Sequence, residues 1–199
     1  MEWVQTHVRE LVIALIVLAA IVAGVWLYRN SQESKELQAE RTLFDAERSV
    51  MSGNLALAAS DLQKVTTRFE NTTAGVQAAM LLAQVQFEQK KYAEGIQALE
   101  RAEDESAAEP FRASIHALMA AGYEDQGKFR EAAQAYREAS EETDFEAEKD
   151  LYLAHAARAY QAAGDKNSAL QLWTQLAEDE NSSVAGEARI RVGELTAAG

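Results

Sequence analysis

Apolar residues recur along most of this chain at helical spacing, and the pattern breaks at regular intervals. The clearest stretch is Leu118 to Ala139, LMAAGYEDQGKFREAAQAYREA. Ala120 and Tyr123 lie three apart. After Gln126-Gly127-Lys128, Phe129, Ala132, Tyr136 and Ala139 recur at steps of three and four. Each set falls on one face of a helix, so the stretch predicts two helices broken by a turn. Small residues at Ala120 and Ala132 let the two backbones approach, and the aromatics fill the space beside them.

The same residue types return when the window moves by 37 residues. Gly53, Lys90, Gly127 and Gly164 mark the turn. Ala46, Ala83, Ala120 and Ala157 mark a small site on the first helix, and Ala58, Gly95, Ala132 and Ala169 one on the second. Leu62, Leu99, Tyr136 and Trp173 mark a large apolar site after it; Tyr123 pairs with Tyr160, and Tyr92 with Phe129. A fixed period of this length is the signature of stacked supersecondary units; the rival is a plain helical bundle with accidental self-similarity. The expected hairpins are 37–51 with 54–69, 74–89 with 92–104, 111–126 with 129–141, and 147–163 with 166–178. Asn71-Thr72-Thr73, Asp165 and Asn181-Ser182-Ser183 are expected helix starts, because their side chains accept from unpaired N–H groups of a first turn. Pro110 fits a break between repeats. A last amphipathic helix over about 183–197, with Val184, Ala188, Val192 and Leu195 inward, caps the array.

The N-terminus reads differently. Leu11 to Tyr28 (LVIALIVLAAIVAGVWLY) holds 18 residues without a charge. At 1.5 Å per residue they span about 27 Å, close to a hydrocarbon core of about 30 Å. Trp3, Trp26 and Tyr28 lie near its ends, where amphipathic aromatics favour the interface. The polar flanks and the lack of a polar face argue against a buried core helix. A cleaved signal peptide is the other competitor, but its basic region would be Arg9 alone, followed at once by Glu10. The run also exceeds the usual length, and bulky apolar residues follow the small residues near Ala23. The expectation is one uncleaved transmembrane helix within residues 1–30, touching the lipid bilayer through residues 11–28, and a repeat domain over 31–199. Arg9 on one side against Arg29, Lys35 and Arg41 on the other would by charge place the domain in the cytoplasm. Between Gly24 and Gly53 there is neither Gly nor Pro, so Asn30–Glu40 either continues the helix into the first repeat or forms a flexible linker. Leu37, Phe44 and Met51, seven apart, favour helix from Leu37 onward.

Composition narrows the chemistry. Of 199 residues 48% are hydrophobic, with one Pro, ten Gly and no Cys. Strand signals are lacking and the fold class is all-α. Without Cys there are no disulfides, thiol nucleophiles or thiolate metal sites. The net charge is −13; Glu2 and Glu10 cancel Arg9 and Arg29, so the whole excess lies on 31–199. Such a surface repels phosphate backbones, so no nucleic acid is expected. His7, His116 and His155 form no shared site, because the last two miss repeat register by two residues. No metalloprotease, hydrolase, dinucleotide or P-loop pattern occurs. No catalytic residue, metal, cofactor or small-molecule substrate is expected, and the acidic runs at 100–109 and 138–148 read as solvated surface.

GKFREAAQAYREA resembles the second half of a tetratricopeptide (TPR) repeat, through Gly127, Phe129, Ala132, Tyr136 and Ala139. The resemblance covers about residues 38–180. It departs from the family in its period, 37 rather than about 34, and in a first copy, Leu43–Val65, without aromatics. It implies a solenoid of about four hairpins whose first helices line a concave, partner-binding face. The positions carried over are Met80, Gln84 and Phe87; Ala117, Ala121 and Glu124; and Ala154, Arg158 and Gln161. Met80 and Phe87 serve equally well as core residues. Arg158 is the lone base, so the Lys/Asn/Arg clamp some relatives use for a terminal carboxylate is missing, and the groove suits a helix or a neighbouring subunit. The architecture of short tail, membrane helix and acidic repeat domain is similar to the YfgM-type ancillary subunits of the Sec translocon. That similarity implies a single-pass bacterial inner-membrane protein with periplasmic repeats. The functional expectation is a non-catalytic, membrane-anchored scaffold for other membrane proteins. The alternatives are a permanent accessory subunit of a photosynthetic or respiratory membrane complex, or an adaptor that self-associates through Leu37–Met51.

Overall fold

A computed structural model describes residues 2–197; the side chains of residues 2–16, 20 and 28 lie outside that description. The described chain is helical and contains no strand. Its elements are α1 (Glu2–Met51), α2 (Leu55–Arg68), α3 (Thr73–Glu88), α4 (Tyr92–Glu103), a 3-10 turn (Ser106–Phe111) carrying Pro110, α5 (Arg112–Asp125), α6 (Phe129–Glu141), α7 (Glu146–Ala162), α8 (Lys166–Glu178) and α9 (Ala185–Ala197). Each helix packs on the next, and the hairpins α1–α2, α3–α4, α5–α6 and α7–α8 stack in chain order, with α9 lying on α8.

The 37-residue columns have physical causes. Gly53, Lys90, Gly127 and Gly164 all adopt left-handed backbone, with φ between 60° and 76°. This conformation closes the C-terminus of each first helix. The N–H of Lys91, Lys128 and Asp165 bonds back to the carbonyl five residues earlier, at 2.8–2.9 Å, which satisfies an orphan helix-end carbonyl. The small columns are buried: Ala46, Ala83, Ala120 and Ala157 on first helices, and Ala58, Ala132 and Ala169 on second ones, are at most 1% exposed. The fourth member of the second column, Gly95, makes room for an aromatic. A Cβ there would meet the Phe87 ring at 2.4 Å, and one at Gly122 would meet it at 2.5 Å. The large column, Leu62, Leu99, Tyr136 and Trp173, fills the space that the small residues leave.

Capping follows the expected residues in part. Thr72 accepts from Gly75 N–H at 3.0 Å and Asp165 from Ser168 N–H at 3.1 Å. Helix α9 begins at Ala185, with the Ser182 hydroxyl accepting from Val184 N–H at 3.3 Å. Ala188 is buried, and Val184, Val192 and Leu195 pack on the last core cluster, so α9 covers the open end of the stack.

Helix α1 is continuous for 50 residues, about 75 Å at the usual rise, so Asn30–Glu40 is helix and not linker. Its last third belongs to the stack: Ala39, Leu43 and Ala46 are buried against Ala58, Leu62 and their neighbours. Leu37, Phe44 and Met51 mark this helix, but they lie on its outer face, 56%, 61% and 87% exposed. The inward stripe is built on alanines because α2 approaches closely, and large side chains would hold it off. Two ionised side chains fix α1 further. Glu36 accepts from the N–H groups of Thr73 and Ala74 at 3.1 and 3.0 Å, capping α3 from outside, and Lys35 donates to Glu70 C=O at 2.6 Å.

Part of the expected membrane span (residues 11–16, 20 and 28) lies outside the described side chains. Among the described residues no helix is long and apolar enough to cross a membrane. Those described in the run, Val17, Leu18, Ile21, Val22, Val25, Trp26 and Leu27, are 52–64% exposed.

Candidate functional site

The first helices α3, α5 and α7 each leave one stripe only partly covered by the packing. On α3 it runs Gln77, Leu81, Gln84, Glu88; on α5 Ser114, Leu118, Ala121, Asp125; on α7 Leu151, His155, Arg158, Ala162. All twelve positions are exposed or half-buried. Steps of four, three and four hold each stripe on one helix face, and the 37-residue period repeats it in every hairpin.

Of the residues expected to line a partner-binding face, Gln84, Ala121 and Arg158 lie on this stripe. Gln84 is exposed; the other two are half-buried. Arg158 is already engaged: its guanidinium donates from Nε and Nη2 to the two carboxylate oxygens of Glu187 on α9, at 3.2 and 2.6 Å, and lies 5.7 Å from the Trp173 ring centre. The Arg158 hydrogen bond holds the Glu187 carboxyl below the usual carboxylate range.

The other expected positions turn into the stack. Met80 and Phe87 pack against the core around Ile96, Leu99 and Ile115. Glu124 accepts from the Tyr136 hydroxyl at 3.1 Å, and Gln161 accepts from Trp173 Nε1–H at 2.9 Å. These two bonds are one device in two copies, since both partners are 37 residues apart. A buried aromatic with a polar tip needs an acceptor, and the first helix supplies it. Burial, with the Glu124 charge and hydrogen bond, raises the Tyr136 hydroxyl well above its ordinary value. In the copy before, Phe87 and Leu99 occupy the same places without polar atoms. Ala117 is half-buried and Ala154 fully buried.

His155, which carries no role in the repeat pattern, also lies on the open stripe. Its ring stacks on Tyr136, centroids 5.1 Å apart and planes at 27°. Desolvation against that ring, with the positive charge of Arg158, lowers its pKa. The available signal is the column Leu81, Leu118, His155, one residue beyond the column read from the family pattern, where a polar residue replaces two leucines. Among the described residues no group of three or more His, Asp or Glu side chains is placed to hold a metal ion.

This arrangement, hairpins in fixed register with one open stripe per first helix, defines a helical-repeat protein. The Tetratricopeptide repeat-like domain family matches residues 1–171, and the chain belongs to that family. No curated protein matches the chain. Among solved structures it is similar to a tetratricopeptide repeat protein from Parabacteroides merdae ATCC 43184, at 17% identity and a TM-score of 0.61 over 80% of this chain and 60% of that one. It is also similar to BtubC (BKLC) from P. vanneervenii, at 16% identity and 0.57 over 84% of each chain. The chain thus spans less than two thirds of the first of these. Likeness at such identity carries the fold alone. Tetratricopeptide repeats are in general non-catalytic scaffolds for protein–protein interaction, and that coarse role comes with the family.

Proposed function

We propose that the chain is a single-pass, membrane-anchored scaffold whose repeat stack holds a protein partner close to the bilayer. The observation that carries the reading is the row of large apolar side chains from Val17 to Leu27, exposed at 52–64% on a helix whose other end is built into the core. An exposed apolar surface of this extent needs a lipid or protein environment, and the uncharged sequence Leu11–Tyr28 has the length of a bilayer core. The family match begins at residue 1 and so includes this run. Confinement to a membrane raises the effective concentration of the stack toward other membrane proteins. The resemblance to YfgM-type subunits favours a bacterial inner membrane with the repeats in the periplasm.

The partner-facing surface in this reading is the stripe through Gln84, Ala121 and Arg158. Cross-linking mass spectrometry in native membranes tests it. Membrane-protein cross-links from α3, α5 and α7 are expected, and a Gln84→Arg/Ala121→Arg variant should lose them while keeping its helical content. Cross-links confined to soluble proteins, or unchanged in the variant, overturn the reading. Stoichiometric retention of the partner through detergent and salt would instead identify a permanent subunit of a larger complex.

A further inference from the structure

Neighbouring second helices leave a groove between them, floored by the first helix that separates them, and one of these grooves has unusual chemistry. Between α4 and α6 lies a cleft of about 440 Å³. Glu100 and Glu103 enter it from α4, Glu131 and Glu138 from α6, and His116 rises from α5. Among the described residues no Lys or Arg lines it; Lys128 lies at one end, its ammonium 5.9 Å from the centre of the Tyr123 ring. The equivalent groove one repeat earlier puts Gln63, Thr66 and Arg101 where this one has Glu100, Glu103 and Glu138. Three of its four carboxylates are therefore not a consequence of the repeat; the fourth, Glu131, stands where the earlier groove has Glu94.

His116 points to an occupant. Its copies one repeat away are Ala79 and Leu153, both buried and apolar, so packing does not require an imidazole here. The His116 side chain is only 9% exposed. Its Nε2 lies 3.2 Å from Glu103 Oε1 and its Nδ1 3.5 Å from Glu138 Oε2. Nδ1 makes no hydrogen bond and is sealed from water. A neutral imidazole that turns an Nε2 proton toward Glu103 would present Nδ1 as a buried acceptor without a donor, which costs free energy until one arrives. The field in the cleft is felt by Tyr123: its hydroxyl pKa is raised first by burial, then by the charges of Glu100, Glu131 and Glu138.

We propose that this cleft is a docking site for an arginine side chain of a protein partner, gripped between the carboxylates of α4 and α6 with the His116 imidazole as its floor. A guanidinium offers five donors in a planar fork. They suffice for a bidentate pair to one wall, a bond to the other wall, and one to Nδ1. Glu138 is 44% exposed and accepts from Gln134 Nε2 at 3.2 Å; it is the wall that swings outward to admit the guanidinium, at the cost of that one exposed bond. A divalent cation suits the site less, because Glu103 and Glu138 face different nitrogens of one ring and cannot join it around a single ion. The site is separate from the open stripe of the first helices and does not depend on which side of a membrane the stack occupies.

The test uses the full chain in detergent micelles, with ring nitrogens of its three histidines observed by NMR and His116 assigned by substitution. Acetyl-Ala-Arg-Ala-amide is titrated to about 50 mM, beside the same peptide carrying citrulline, the neutral isostere. A saturable shift of the His116 nitrogens with a midpoint in the millimolar range is expected for the arginine peptide alone. It should weaken at least about tenfold in Glu103→Gln/Glu138→Gln and in Glu100→Gln/Glu131→Gln, two pairs so that a folding defect in one leaves the other to report. Equal shifts with citrulline, undiminished binding in both variants, or no shift at all overturn the proposal. So does a response to micromolar zinc without one to arginine, which would make the cleft a metal site.

Discussion

Lys90 stands where the other three turns place glycine, at φ 60°. A side chain in left-handed backbone costs about 1 kcal/mol, so Lys90→Gly should stabilise the fold by about 0.5–1 kcal/mol in urea denaturation, less the unfolded-state entropy that glycine adds. Gly127→Ala should lose about 1 kcal/mol by the same reasoning. At Gly122 the cause is space, not φ: a methyl there meets the Phe87 ring at 2.5 Å. Gly122→Ala should therefore cost about 1–3 kcal/mol by overpacking, with the loss reduced in the Phe87→Leu background. The turn column was legible in the sequence because backbone conformation selects residue type directly. The direction of the Phe87 ring was not, since helical spacing gives a face and not a rotamer. Its written signs are Gly95 and Gly122, the two glycines whose missing Cβ leaves room for the ring.

Between elements, polar side chains hold what apolar packing leaves loose. Glu187 ties α9 to α7 through Arg158, and its carboxyl pKa is lowered by that bond. A depressed carboxyl contributes stability that is complete above its ordinary value of 4.5 and is lost as pH falls through the folded value. Protection of Ala185–Ala197 against hydrogen exchange, taken relative to the intrinsic rate at each pH, should thus fall on acidification below about pH 4.5, ahead of the central hairpins, and Glu187→Gln should abolish that pH dependence. At the other end Glu36 caps α3 from α1, and Glu36→Gln should cost about 1 kcal/mol, read as faster exchange at Thr73 and Ala74. The spacing of Leu37, Phe44 and Met51 announced a helix but not its inward face. The buried stripe is Ala39, Leu43 and Ala46, and alanines at close helix contacts carry too little hydrophobic signal to be told from surface ones. The Glu36 and Lys35 contacts span more than thirty residues of sequence, beyond the reach of any local pattern.

At the scale of the molecule, four hairpins at one period form a quasi-one-dimensional array, where each unit is supported by its neighbours. The period and the helix positions could be read because the same packing problem is solved four times, and each solution leaves its small and large residues in register. Whether Asn30–Glu40 was rod or tether could not be read, because its residues suit both. The structure makes it a rod, clamped at Lys35, Glu36 and Ala39, and this gives the chain a phase. Each helical residue turns the axis by about 100°. One residue inserted after Gln32 should leave the stack's urea midpoint unchanged, yet swing its open stripe about a third of the way around relative to the apolar run. Inserting seven should return it to within about 20°, so cross-linking to a membrane partner should vanish with one and recover with seven. The count of residues between the apolar run and the clamp is in this sense a compass setting, fixing the azimuth at which the stack meets whatever lies beside it.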